Sequence, residues 1–192
     1  HYNIVTPLGF DLPTIANLLL RERSAIARYP MYGQLTDVCL SKIGDGAIES
    51  RFQQVVERND FSRLEKLLLL AIAPIFHKIK ITPRTALILS STKGNISELT
   101  NGDSAPLLST LAQKMANAIG VTTTPIVVSN ACVSGAMVLS VADRLLKADA
   151  YDNAIVLAGD EISEFVLSGF QSFQAMSAQP CRPYDAQRDG IT

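Results

Sequence analysis

Apolar positions along this chain follow two rhythms. Short continuous apolar runs, bounded by polar or turn residues, predict a buried strand at Ala86–Leu89 and further strands at Ile126–Val128 and Ala154–Leu157. Between them the apolar residues recur at helical spacing. Asp11 can cap a helix with Pro13 in its first turn and Ile15, Leu18, Leu19 and Leu20 on its apolar side. Asp60 or Ser62 opens a longer helix carrying Leu64, Leu67, Leu68, Ala71, Ile72, Ile75 and Phe76. It should end near Ile79, with a kink or early break at Pro74. Asp103 or Ser104 caps a third helix, with Leu107, Leu108, Leu111, Ala112, Met115 and Ile119 on one face and Gly120 closing it. A fourth carries Val138, Val141, Ala142, Leu145 and Leu146. Strands alternating with helices predict an α/β fold around a mostly parallel sheet, buried on both faces.

Elsewhere the rhythm breaks down. Ile4-Val5-Thr6-Pro7-Leu8-Gly9 reads as the end of a strand running into a turn. Residues 25–50, punctuated by Pro30, Gly33, Gly44 and Gly46, read as a loop-rich excursion with room for one short strand. Residues 164–176 are mixed, and their cluster of Phe165, Phe170 and Phe173 is expected in the core, with pocket lining as the other reading. The Arg/Asp alternation of residues 179–192 reads as a salt-bridged, turn-rich segment.

Composition sharpens this picture. Charged residues make up 18% of the 192 and hydrophobic ones 47%, with mean hydropathy +0.20. That leaves less polar surface than a soluble domain with the usual ~25% charge, so some apolar surface is expected to meet a partner. The greasiest run, Leu67–Phe76, is far short of the ~20 residues a membrane span needs. A net charge of −1 without a Lys/Arg cluster gives no footprint for nucleic acid or anionic lipid. Three cysteines without metal-ligand spacing argue against a disulfide framework or zinc site and for a reducing, cytoplasmic setting. No cofactor motif is present: Lys93-Gly94 lacks the frame of a phosphate loop. Both ends read as cut from a longer chain.

The chemistry centres on Ser129-Asn130-Ala131-Cys132-Val133-Ser134-Gly135. A strand leads into it and a helix follows, which places Cys132 at a strand-to-helix turn. First-turn N–H groups lack intrahelical partners and carry partial positive charge, so a thiolate there is stabilised. The small residues Ser134, Gly135, Ala136 and Ser140 keep the helix thin near the sulfur. Position and neighbours leave two readings open, a nucleophile or a buried structural cysteine. Cys39 reads as packing, His77 as a helix-end residue, and Asp160-Glu161 as turn or cap formers with proton transfer the minor reading.

Several blocks together resemble the amino-terminal half of a β-ketoacyl synthase. They are Asn130-Ala131-Cys132-Val133-Ser134-Gly135, Gly159-Asp160-Glu161, Phe170 with Ala175-Met176-Ser177, and Cys181-Arg182-Pro183-Tyr184-Asp185 followed by Arg188-Asp189-Gly190. Val5-Thr6-Pro7-Leu8-Gly9 and Ser90–Gly94 extend the likeness more loosely. Thiolases share the Cys-x-Ser-Gly element but usually lack the last block. The resemblance implies a thiolase-like fold of two similar halves with paired central helices, of which residues 1–192 would be the first half. It also implies decarboxylative Claisen condensation, with an acyl group moved from acyl carrier protein onto Cys132 and a malonyl unit losing carbon dioxide to attack it.

On that reading the Cys132 N–H is one of two oxyanion donors. The other donor, the catalytic histidines (or His and Asn) and a lysine belong to the second half; His1 and His77 do not match them. Such a chain alone is expected to be inactive. Phe170 matches a pocket-lining phenylalanine. Asn130 stands where many members have Thr, and Gln174 where several carry an Arg implicated in carrier docking. The resemblance implies a homodimer or synthase heterodimer joined through Ile126–Val128, and no cofactor. The alternative function is a non-catalytic, chain-length-factor-like partner of an active synthase, although such partners commonly lack the cysteine; a thiolase is the second alternative.

Overall fold

The structure, a computed structural model, describes residues 1–57, 60–101 and 107–192. In chain order its elements are α1 (Leu12–Leu20), β1 (Ala27–Tyr32), β2 (Leu35–Leu40), α2 (Asp45–Phe52), α3 (Arg63–Phe76), β3 (Thr85–Ser90), α4 (Leu108–Ile119), β4 (Ile126–Val128), α5 (Ser134–Lys147), β5 (Asn153–Ala158) and α6 (Glu164–Ser172). Single 3-10 segments cover Ile96–Asn101 and Ala131–Val133. The chain forms two compact units, one of His1–Asn3 with Ile48–Glu161 and one of Ile4–Ala47 with Ile162–Thr192.

The first unit is built on a parallel sheet of order β4-β3-β5. All six residues of β3 are buried. Ala86 and Ile88 meet Val138 and Ala142 of α5, while Leu87 and Leu89, fully buried, point to the opposite face. α3 packs against β5, and α4 against β3 and β4. At the start of the strands, Arg84 forks between the Asp152 carboxylate at 2.6 Å and the Asp149 carbonyl at 2.7 Å. Beside β5 lies a cleft of about 340 Å³, lined by His1–Asn3, Leu68, Ile72 and Ile75 of α3, and Leu139 of α5.

The helix signals resolve to particular residues. Ser62, not Asp60, is the cap of α3, through a capping box in which the Ser62 hydroxyl accepts from Glu65 N and the Glu65 carboxylate accepts from Ser62 N. Pro74 lies inside the last turn and the helix ends at Phe76, earlier than Ile79, with His77 as its C-cap. Gly120 ends α4 in the left-handed region at φ +86°. The expected cap at Asp103 or Ser104 lies outside the described residues.

The second unit corrects several expectations. Residues 25–50 are not a loop-rich excursion: β1 and β2 form an antiparallel hairpin, and α2 begins at Asp45. The pairing Tyr32↔Leu35 leaves a two-residue turn in which Gly33 takes φ +60°. A Cβ on Gly33 would come within 2.0 Å of the Glu164 carboxylate, which accepts from Gln34 N at 2.8 Å. The hairpin was hidden because β1 is mostly exposed and so lacks apolar alternation. Only β2 delivers a buried end, Val38 to Leu40, which packs on Leu167 of α6.

The phenylalanine cluster is not core either. Leu167 is the buried residue of α6, whereas Phe165 and Phe173 are 61% and 81% exposed. A nine-residue helix packed along one line buries one stripe only. The same holds for α1, capped by Asp11 as expected, where Ile15 is buried while Leu19 and Leu20 are exposed. Before the Thr6–Gly9 bridge, residues 1–5 form no strand. The final segment is turn-rich as predicted. Ser177 donates to Asp189 at 2.9 Å, Arg182 pairs with Asp189 at 3.6 Å, and Gly190 passes so close to Ala175 that a Cβ would lie 2.6 Å from its carbonyl oxygen. Among the described residues, no helix is long and apolar enough to cross a membrane.

Two outcomes are expected. Ile88→Ala, which empties space inside a fully buried strand, should cost about 3 kcal/mol, read as a lowered urea midpoint. Arg28 lowers the Asp37 carboxyl through a side-chain hydrogen bond across the hairpin. A carboxyl lowered in the fold adds stability above its unfolded value, and that contribution disappears as acid carries the pH through the folded value. Asp37→Asn should therefore flatten the acid limb of the stability profile slightly. Both side chains are more than half exposed, which keeps the effect small.

Candidate functional site

The register of the sheet fixes where the site lies. Ser90 pairs with Val128 on one side and with Ala158 on the other, so β3, β4 and β5 finish level. The turns after them, 91–94, 129–132 and 159–161, gather at the carboxyl edge, where open parallel sheets commonly bind ligands.

Cys132 occupies the second of these turns and is exposed. Within this chain the thiol is therefore not buried packing. The turn is a 3-10 segment rather than the first turn of α5, so the sulfur precedes the α-helix by two residues. Ala131 adopts φ +44°, a left-handed conformation that costs a residue with a Cβ. Ser134, buried, braces it: its Oγ accepts from Asn130 N at 2.8 Å and donates to Ala131 O at 2.7 Å. Backbone bonds run from Val133 N to Asn130 O and from Ser134 N to Ala131 O. At the start of α5 the surface is open, since a Cβ built on Gly135 meets nothing within 4 Å. Val133 and Met137 are 48% and 40% exposed nearby in the chain.

Three carboxylates hold the turn after β3. Asp160 Oδ1 accepts from Ser91 Oγ at 2.9 Å, Thr92 N at 2.8 Å and Thr92 Oγ1 at 3.0 Å. Glu65, buried, accepts from Asn95 Nδ2 at 2.9 Å and pairs with Lys114 at 2.7 Å. Glu161, also buried, accepts from Ser97 N at 3.1 Å, and its other oxygen faces Arg63 at 4.0 Å. Gly159 N donates to Ser90 O at 3.0 Å, which ties the third turn to the first. The acids at 160 and 161 therefore shape turns, as expected of them. Glu65 was not singled out by sequence, although the Ser62-x-x-Glu65 spacing of a capping box was there to be read.

The other candidates take separate places. Cys39 is buried, with its thiol 3.6 Å from Ala178 O. His77 is the C-cap of α3 and His1 lines the cleft beside β5. Phe170 lies on α6 of the second unit, 38% exposed. Among the described residues no group of three or more His, Cys, Asp or Glu side chains could hold a metal ion.

Comparison with known proteins agrees with this architecture. Residues 2–192 match the family model described as "Beta-ketoacyl synthase, N-terminal domain". No curated protein sequence matches the chain. Among solved structures, a ketosynthase in complex with its chain length factor from Xenorhabdus doucetiae superposes with TM-score 0.77 at 18% identity, over 100% of this chain and 54% of that one. The ishigamide ketosynthase/chain length factor gives TM-score 0.68 at 19% identity over 93% and 56%. A β-ketoacyl synthase from Burkholderia phymatum STM815 gives 0.67 at 20% over 97% and 53%. The chain thus spans a little over half the length of each, and the likeness establishes a thiolase-like fold.

Asp160→Ala should free the turn after β3. Loss of its hydrogen bonds, at about 1 kcal/mol or somewhat more in net stability, predicts roughly tenfold faster amide exchange at Thr92 and Gly94. Asp160→Asn, which keeps an acceptor oxygen, should change the exchange less.

Proposed function

Because the chain belongs to the β-ketoacyl synthase family, we propose that it is the cysteine-bearing part of a condensing enzyme of fatty-acid or polyketide type, with Cys132 as the acyl acceptor. The observation that carries this is the exposed thiol of Cys132, presented on a braced turn at the carboxyl edge of the sheet. In the first half-reaction the Cys132 sulfur attacks the thioester carbonyl of an acyl carrier protein. A new S–C bond forms, the carrier's S–C bond breaks, and the proton of the Cys132 thiol passes to the departing carrier thiolate. In the second, a malonyl unit loses carbon dioxide and the resulting carbanion attacks the acyl carbonyl, forming a C–C bond and releasing the Cys132 thiolate.

Each attack places negative charge on the carbonyl oxygen, and a donor fixed in advance at that oxygen lowers the barrier. The Cys132 N–H is proposed as one such donor. The second donor and the histidines come, on the family's pattern, from a second half, without which condensation does not proceed. Docking of that half is supported by α5, where only Ser134, Val138 and Ala142 are buried and Leu139 and Leu146 remain exposed. β4 is the sheet's end strand, with Val127 partly exposed, which supports joining to a second synthase subunit there. Phe170 is proposed to line the acyl pocket.

A second reading is carried by two of the structural neighbours, which are described as ketosynthases with chain length factors. In it the chain is a non-catalytic partner that shapes the pocket of an active synthase. The exposed cysteine favours the catalytic role, and the family match favours a synthase over a thiolase.

The test is acylation of the full-length protein by acyl carrier protein, followed by peptide mass mapping. Acyl adducts should form on Cys132 and not on Cys39 or Cys181, and Cys132→Ala should reduce acylation and condensation to background. A Cys132→Ala protein that still condenses would exclude the proposal. Condensation seen only beside another synthase would favour the partner role.

A further inference from the structure

We propose that Ser134 is a positioning residue for the Cys132 nucleophile, acting by locking the left-handed turn at Ala131 that aims the cysteine and its N–H. This rests on the proposed role of Cys132 as acyl acceptor. The Ser134 hydroxyl bonds the residues immediately before the cysteine, accepting from Asn130 N at 2.8 Å and donating to Ala131 O at 2.7 Å. One hydroxyl thus ties the Ser129–Asn130 peptide to the Ala131–Cys132 peptide, the one that carries the Cys132 N–H, and its lone pair and its proton are used in opposite directions.

The need for such a lock lies at Ala131. Its φ of +44° is a conformation that residues other than glycine avoid, because Cβ crowds the backbone. Strain of this kind persists only where the surroundings over-determine it. Here the over-determination comes from a side chain 5% exposed at the start of α5, a rigid element whose Val138 and Ala142 are anchored on β3 through Ala86 and Ile88. The position of Ser134 is therefore set by the core, and the turn is set by Ser134. If Ala131 relaxed to an ordinary φ, the peptide joining it to Cys132 would rotate, and that peptide's N–H is the proposed oxyanion donor. Thiol exposure would survive such a rotation. Alignment of the donor with a carbonyl oxygen would not.

That asymmetry provides the test. In the full-length protein, acylation of Cys132 by an acyl thioester of N-acetylcysteamine is followed by intact mass, and alkylation by iodoacetamide at the same residue by peptide mapping. Acyl transfer needs the aimed N–H, whereas alkylation needs only an accessible thiol. Ser134→Ala should slow acyl transfer at least about tenfold through the maximal rate rather than KM, the loss of one oxyanion donor being worth about a hundredfold or more. Alkylation should stay within about threefold. Ala131→Gly in the Ser134→Ala background should restore most of the rate, because glycine holds positive φ without a brace.

Equal acylation of wild-type and Ser134→Ala proteins overturns the inference. So does a parallel loss of acylation and alkylation with a lowered melting temperature, unrescued by Ala131→Gly, which would mark Ser134 as a folding residue only. Wild-type protein that is never acylated at Cys132 would instead overturn the proposed function, an outcome distinct from either.

Discussion

A strand with six consecutive buried residues has no freedom to place its backbone polar groups in water, so β3 must be paired along both edges and covered on both faces. The first unit follows from this requirement. β4 and β5 satisfy the two edges, and α5 covers the face of Ala86 and Ile88. Once the register Val128↔Ser90↔Ala158 is set, the three following turns have to emerge side by side. Cys132 is in one of them, and its location at the carboxyl edge of the sheet is a consequence of strand burial before it is a matter of chemistry.

Polar groups at that edge extend the same constraint outward. The turn after β3 leaves a buried strand end and enters residues that need hydrogen-bond partners, which are supplied by Asp160, Glu65 and Glu161. Two of these carboxylates are buried, each facing a cation: Glu65 meets Lys114 and Glu161 meets Arg63. A buried charge without such partners would be expelled or neutralised. The acids beside the candidate site thus hold its wall in place. The turn of Cys132 is held differently, by the hydroxyl of Ser134, which adds no charge near the sulfur.

The apolar excess in the composition has a structural counterpart in exposed side chains. In the first unit Leu139 and Leu146 of α5 are open, and in the second Phe165 of α6 and its C-cap Phe173. These helices read as amphipathic in sequence, but each buries a single stripe. Reading every periodic apolar residue as core therefore overfilled the interior, most plainly at Leu19, Leu20 and the phenylalanines.

Local signals were sufficient wherever the deciding physics is local. The short apolar runs gave β3, β4 and β5, the capping residues Asp11 and Ser62 opened α1 and α3, Gly120 closed α4, and the strand-to-helix position of Cys132 was legible together with the family to which the chain belongs. The hairpin β1–β2 was not legible, because its exposed first strand carries no apolar period and its turn depends on Glu164, about 130 residues away along the chain, reaching Gln34 N. Nor were the left-handed Ala131 and the brace from Ser134, since a conformation costly in isolation exists only when the packed core fixes the group that supports it. The identity of the candidate nucleophile was written in the order of residues; its exposure and aim were decided by the level endings of three strands and by one buried hydroxyl.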